Sequence, residues 1–274
     1  MTGSDRPPSA SVADGLRTVL RYPDPRRFGQ RAVEPTPEAV ANLLRDVRPE
    51  AVLTLDEAGW LDTLGTALEV SKTEVPVWPI VPNMTRFVRE VTDHGVVGSQ
   101  IRSFMRLGVP AQLALMLRYA PKGLKLARND FVTGLLMLVE MDMAHFRGLQ
   151  VDTVVLGSQI TELGLAFENR RLFAEFLRVV RRRYGASAGL MTSNLGLLAG
   201  RLAEWELEAD VVVTPFNSKG FGMNPTQDSG ESAVRALGSR IVALDFDANG
   251  TIPRDEALCY LERHDVRTYA VTPL

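Results

Sequence analysis

Eight short runs rich in Val, Leu, Ile and Thr recur along this 274-residue chain, and in its second half amphipathic segments stand between them. The runs are 16–22 (LRTVLRY), 51–55 (AVLTL), 77–81 (VWPIV), 152–157 (DTVVLG), 187–192 (SAGLMT), 210–215 (DVVVTP), 240–246 (RIVALDF) and 267–272 (RTYAVT). PTPEAVANLLRDV, ENRRLFAEFLRVVRRRYG, NLGLLAGRLAEWELE and IPRDEALCYLERH carry apolar residues at helical spacing, several after Pro or a capping residue. Strand, helix, strand in repetition demands parallel pairing, because a parallel neighbour is reached only through a crossover. Apolar runs suited to burial on both faces, at roughly one βα unit per 30 residues, favour a closed barrel over an open doubly wound sheet. No glycine-rich GxGxxG follows the first run, which weakens the dinucleotide-binding alternative. The expected fold is therefore an α/β, (β/α)8 TIM barrel spanning 15–274 as one domain, after a disordered tail at 1–14.

One interval interrupts the rhythm. From 84 to 150 the pattern is helical with no convincing strand, which reads as a helical insertion between strands 3 and 4. Its most apolar window, Phe131 to Val139, is far shorter than the ~20 residues that span a bilayer. A barrel-capping helical pair or a homodimer face is expected there, with Met137, Met141 and Met143 as packing residues.

Composition narrows the chemistry. The 31 basic and 33 acidic residues nearly cancel, which argues against a nucleic-acid footprint. A single cysteine, Cys259, excludes an internal disulfide or a multi-cysteine metal centre, and three histidines make a histidine-rich metal site unexpected. His94, His145 and His264 fall in helices or the connections beside them, so no catalytic role is expected of them. Only four lysines occur (Lys72, Lys122, Lys125, Lys219), leaving arginine as the main anion anchor. A cytoplasmic protein with a small-molecule substrate, and neither nucleic-acid nor membrane partners, is the expectation.

In such a barrel the chemistry lies at the carboxyl ends of the strands. There the sequence offers Asp56 or Glu57 as the acid/base, with Asn194 and Asn217 as orienting amides. Arg21, Arg27, Asn83, Gln159, Thr192, Lys219, Asn224 and Asp245 are candidate substrate contacts. Amides, carboxylates and arginines suit a polar ligand with an anionic group. Each also has a plainer role open to it, since strand-end Asp and Asn often cap the next helix. Asp245, Asp247, Asn249, Gly250 and Glu256 match the EF-hand calcium loop in spacing, but RIVAL before them reads as a strand rather than an entering helix. Ca2+ at this loop is kept as an alternative.

The segments Gly189-Leu-Met-Thr-Ser193-Asn194, VVVTPFNSKGFGMNP and LDFDANGTIPRDEALCYLERHDVRTYAV resemble aldo-keto-reductase-like barrels, closest to a microbial group without an established activity. The shared features are Pro215, Phe216 and Asn217, the turn of Gly220, Phe221 and Met223, and more loosely Asn249 to Ala257. The resemblance implies the barrel fold and, in true reductases, NADPH with an Asp, Tyr, Lys and His tetrad. Asp56 matches the aspartate. Trp60 or Leu61 stands in the tyrosine's place, VWPIVPNM has no lysine, and LGSQ has no histidine. The expectation is thus a cofactor-independent lyase- or isomerase-like enzyme acting on a carboxylate- or phosphate-bearing metabolite. The alternatives are an NADPH-dependent oxidoreductase with a rearranged site, and a non-catalytic ligand- or partner-binding barrel.

Overall fold

The computed structural model describes residues 15–22, 35–57, 59–89, 92, 109–122 and 130–272. Its strands are β1 (Arg17–Tyr22), β2 (Ala51–Thr54), β3 (Val77–Val81), β4 (Thr153–Leu156), β5 (Ser187–Met191), β6 (Val211–Pro215), β7 (Ile241–Leu244) and β8 (Thr268–Val271). All pair in parallel in sequence order and β8 returns to β1, closing an eight-stranded barrel. The fold is the (β/α)8 TIM barrel that the alternating runs predict.

Side-chain alternation explains the closure. Val19, Leu53, Ile80, Val155, Met191, Val213, Val242 and Ala270, one from each strand, form a single cluster in the interior. Their neighbours Leu20, Val52, Val154, Leu190, Val212 and Ala243 point the other way and pack beneath the helices. Both faces are apolar, so the strands show no polar face in sequence. At Gly189 an added Cβ would stand 3.0 Å from Val155 Cγ2, so the bare backbone lets β5 sit against β4's inward side chain.

The helices that follow the strands are α1 (Pro37–Val47) and α2 (Trp60–Ser71) in the first half, then α3 (Val109–Tyr119) and α4 (Phe131–Met143) between β3 and β4. After β4 come α5 (Ser158–Ala166), α6 (Arg170–Val179), α7 (Leu195–Glu204), α8 (Gln227–Leu237) and α9 (Arg254–Arg263). Residues 84–89 are also helical, and no strand occurs between β3 and β4 among the described residues. The tail at 1–14 lies outside those residues.

Helix starts follow local chemistry. At α1, Thr36 Oγ1 accepts the Ala39 N–H at 3.3 Å and Pro37 opens the first turn. Thr36→Ala should cost about 1 kcal/mol in chemical denaturation, the usual worth of such a cap. No helix among the described residues is long and apolar enough to cross a membrane.

Candidate functional site

The predicted site residues fall into three groups along the carboxyl ends of the strands. In the first, Asp56 follows β2, Asn83 follows β3, and Asp142 and His145 arrive from the end of α4. Arg86 bonds both carboxylates, Asp56 Oδ2 through one guanidinium nitrogen and Asp142 Oδ1 through another. The Asn83 backbone N–H donates to Asp142 Oδ2 at 2.5 Å, and its side-chain amide donates to the Asp56 carbonyl at 2.7 Å and to Glu57 Oε1 at 3.3 Å. His145 Nδ1 stands 2.7 Å from Asp56 Oδ2, off the line of a proper hydrogen bond. This corrects the expectation for the histidines: a helix ending beside β2 and β3 brings one of them to a strand end.

The electrostatics of the two carboxylates diverge. Burial works to raise Asp56, but the His145 contact and the Arg86 charge outweigh it and hold the carboxyl below its ordinary value. Burial dominates at Asp142 and pushes its pKa up, against the opposing pull of Arg86 and the Asn83 N–H. Ligand atoms of Asp56, Asp142 and His145 lie within 4.8 Å of one another, a spacing a cation could use. The Arg86 guanidinium already bridges the two carboxylates, so the donor set is charge-compensated without a metal. The arrangement fastens the end of α4 to the barrel.

The second group surrounds Glu162 on α5. Its carboxylate accepts from Thr192 Oγ1 at 2.8 Å, the Ser193 N–H at 2.7 Å and the Asn194 side-chain amide at 2.5 Å. Thr192 and Asn194 are brought together as expected, but they serve an internal carboxylate. Asn194 stands at the N-cap of α7 without making a side-chain cap.

The third group corrects the role given to Asn217. Fully buried, it donates to the carbonyls of Phe221 and Asp245 and accepts the N–H groups of Lys219 and Phe221. Every hydrogen-bonding valence of the side chain goes into folding its own loop, so none remains to orient a substrate. Lys219 Nζ donates to the Thr251 carbonyl at 2.8 Å, joining the loops after β6 and β7. Asn224 and Gln159 are exposed, the former with its backbone N–H on the Ser193 carbonyl at 2.8 Å. Arg21 lies within β1 beside Leu53 of β2. Arg27 is outside the described residues.

Asp245 lies elsewhere in chemical terms. A cavity of about 280 Å³ opens at the carboxyl ends of β7 and β8, lined by Asp245, Asp247, Asn249, Arg254 and Thr272 among others. Neither Asp245 nor Asp247 has a side-chain hydrogen bond or ion pair among the described residues, although both are half-buried. Arg254, the first residue of α9, faces the rings of Phe246 and Tyr269 at 6.0 and 5.8 Å and donates to the Tyr269 hydroxyl at 3.2 Å. Its guanidinium has no carboxylate partner among the described residues, so donors remain for a ligand. The connecting turn holds Asp245, Ala248, Asn249 and Gly250 at positive φ, a concentration of left-handed backbone that side chains seldom adopt.

The loop with calcium-type spacing follows strand β7, and the carboxylates of Asp245, Asp247 and Glu256 do not all lie within 4.8 Å of one another. No protein-family model matches the chain, and no curated protein matches it.

Proposed function

We propose that the protein is a cofactor-independent enzyme, lyase- or isomerase-like, that handles a polar metabolite bearing a carboxylate or phosphate at the rim of β7 and β8. The observation that carries this is the cavity in which two carboxylates without partners among the described residues, Asp245 and Asp247, face the same space as Arg254. Arginine supplies planar, paired donors for an anionic group and stays protonated, while a nearby carboxylate can take and return a proton. The position also suits a phosphate, since the amino end of α9 and the loops after β7 and β8 meet there. In this reading Arg254 takes the anchor role, and Asp245 is the acid or base.

A thermal-shift panel of small carboxylates, hydroxy acids and sugar phosphates tests the binding half. At least one should raise Tm in the native protein and fail to do so in Arg254→Met. No response across the panel, or no compound whose response is lost in Arg254→Met, contradicts the site.

For the segment between β3 and β4 we propose a second copy of the chain as partner. Val109, Leu113, Met116 and Leu117 make an apolar stripe on α3, each more than half exposed, with Leu117 at 70%. Light scattering should give a dimer for the native protein and a monomer for Leu113→Glu/Leu117→Glu. A native monomer at micromolar concentration rejects the partner.

A further inference from the structure

We propose that the cavity between α3, α4 and the turn ending α6 is a second ligand site, for a small molecule with an apolar body and one carboxylate or phosphate head. It measures about 340 Å³. Val151 and Tyr184 line it and immediately precede β4 and β5, which sets it near the amino ends of those strands, away from the rim of β7 and β8. It is therefore independent of the catalytic reading above.

The lining is divided by chemistry. Leu115, Met143, Phe146 and Leu149 supply an apolar surface, and Glu140, Arg147, Arg183 and Tyr184 supply polar groups. Glu140, whose side chain is only 3% exposed, is paired with Arg118 at 2.6 Å and with Arg183. Glu140 is thus offset from two sides, by Arg183 within the cavity lining and by Arg118 outside it. Arg147 adds another positive charge and has no hydrogen-bond or ion-pair partner among the described residues. Burial first, and then the Glu140 charge, drive the Tyr184 pKa upward, so its phenol keeps its proton and can donate to an anion.

These features define one kind of occupant. Positive charge in a partly enclosed, apolar-walled space favours an anionic head, and the unpaired guanidinium of Arg147 is the group that would bind it. The apolar wall favours a hydrocarbon or aromatic body over a hydroxylated one. Glu140 opposes a second negative charge close to the first, and the volume lies at the small end of ligand pockets.

Titration calorimetry with benzoate and phenyl phosphate, beside benzyl alcohol as the uncharged control, tests the site. One or both anions should bind the native protein, and benzyl alcohol should bind at least about tenfold more weakly. Arg147→Gln, an exposed change that leaves the Glu140 pairs intact, should weaken the anion about tenfold or more, whereas Arg254→Met should leave it unchanged. Ala144→Phe, which places a ring in the cavity, should abolish it. The proposal is overturned if neither anion binds, if the alcohol binds as well as the anions, or if Arg147→Gln has no effect.

Discussion

Arg86→Met should destabilise the protein by about 3 kcal/mol, the usual result of removing one partner from a buried ion pair. Its guanidinium bridges Asp56 and Asp142, whose side chains are 13% and 10% exposed. Methionine preserves much of the side-chain volume but leaves two carboxylates close together, with the Asn83 N–H and the His145 ring as their remaining polar neighbours among the described residues. Asp142 suffers more, because burial already raises its pKa. The pH dependence follows from the two directions. In the native protein Asp56, held low, contributes stability above the ordinary carboxyl pKa, and that contribution is lost as pH falls through its lowered value. Asp142, held high, contributes in the opposite sense: its stabilising share is present in acid and disappears as pH rises through the raised value. Without Arg86 both carboxyls shift upward, so the deficit of Arg86→Met should be largest at about pH 7 and smaller at about pH 4. Denaturant unfolding at the two pH values measures this, and Asp142→Asn in the Arg86→Met background should restore part of the loss. A deficit under about 1 kcal/mol at neutral pH would mean that the bridge is solvated and contributes as little as a surface pair.

Asp245→Asn should lower kcat by about 10² to 10⁴, the range for losing a positioned acid or base, with little change in Tm. The substitution is nearly isosteric, and asparagine tolerates the positive φ of 45° at this position. Its side chain makes no hydrogen bond among the described residues, so the fold loses no contact described for it. Arg254→Met should act mainly on KM, by about tenfold or more, because the guanidinium holds the anionic group in both ground and transition states. Equal effects on kcat from both variants would place the two residues in one chemical role and contradict the division.

The barrel could be read from sequence because each strand is a short apolar run with both faces covered, and the eight runs together admit few closures. The helical character of residues 109–119 and 131–143 was legible in the same way. The first polar group was only half legible. Asp56, Glu57 and Asn83 lie just beyond strand ends, but Arg86, Asp142 and His145 join them through the long connection between β3 and β4, whose path no local pattern records. Asn217 and Lys219 show the opposite error. Their positions after β6 fit a substrate contact, but backbone groups of neighbouring turns consume the hydrogen bonds of Asn217 and take one of the three Lys219 ammonium donors. Arg254 was missed because it reads as an ordinary first-turn helix residue. Its position at the start of the helix that ends the loop after β7 was the available signal, since that is where barrels collect anion-binding groups. The EF-hand spacing at 245–256 has a related lesson: the side chains are in order, but a strand precedes them and the carboxylates do not converge.

In the proposed function Asp245 exchanges a proton with a substrate anchored by Arg254 at the rim of β7 and β8. Incubating the native protein in D2O with the small carboxylates and sugar phosphates that raise its Tm, and following their C–H signals by proton NMR, tests it most directly. The native protein should cause loss of one specific C–H signal, or conversion of the compound, and Asp245→Asn should do so at least about a hundredfold more slowly. Binding without exchange or conversion for every such compound, or exchange that proceeds undiminished in Asp245→Asn, would contradict it.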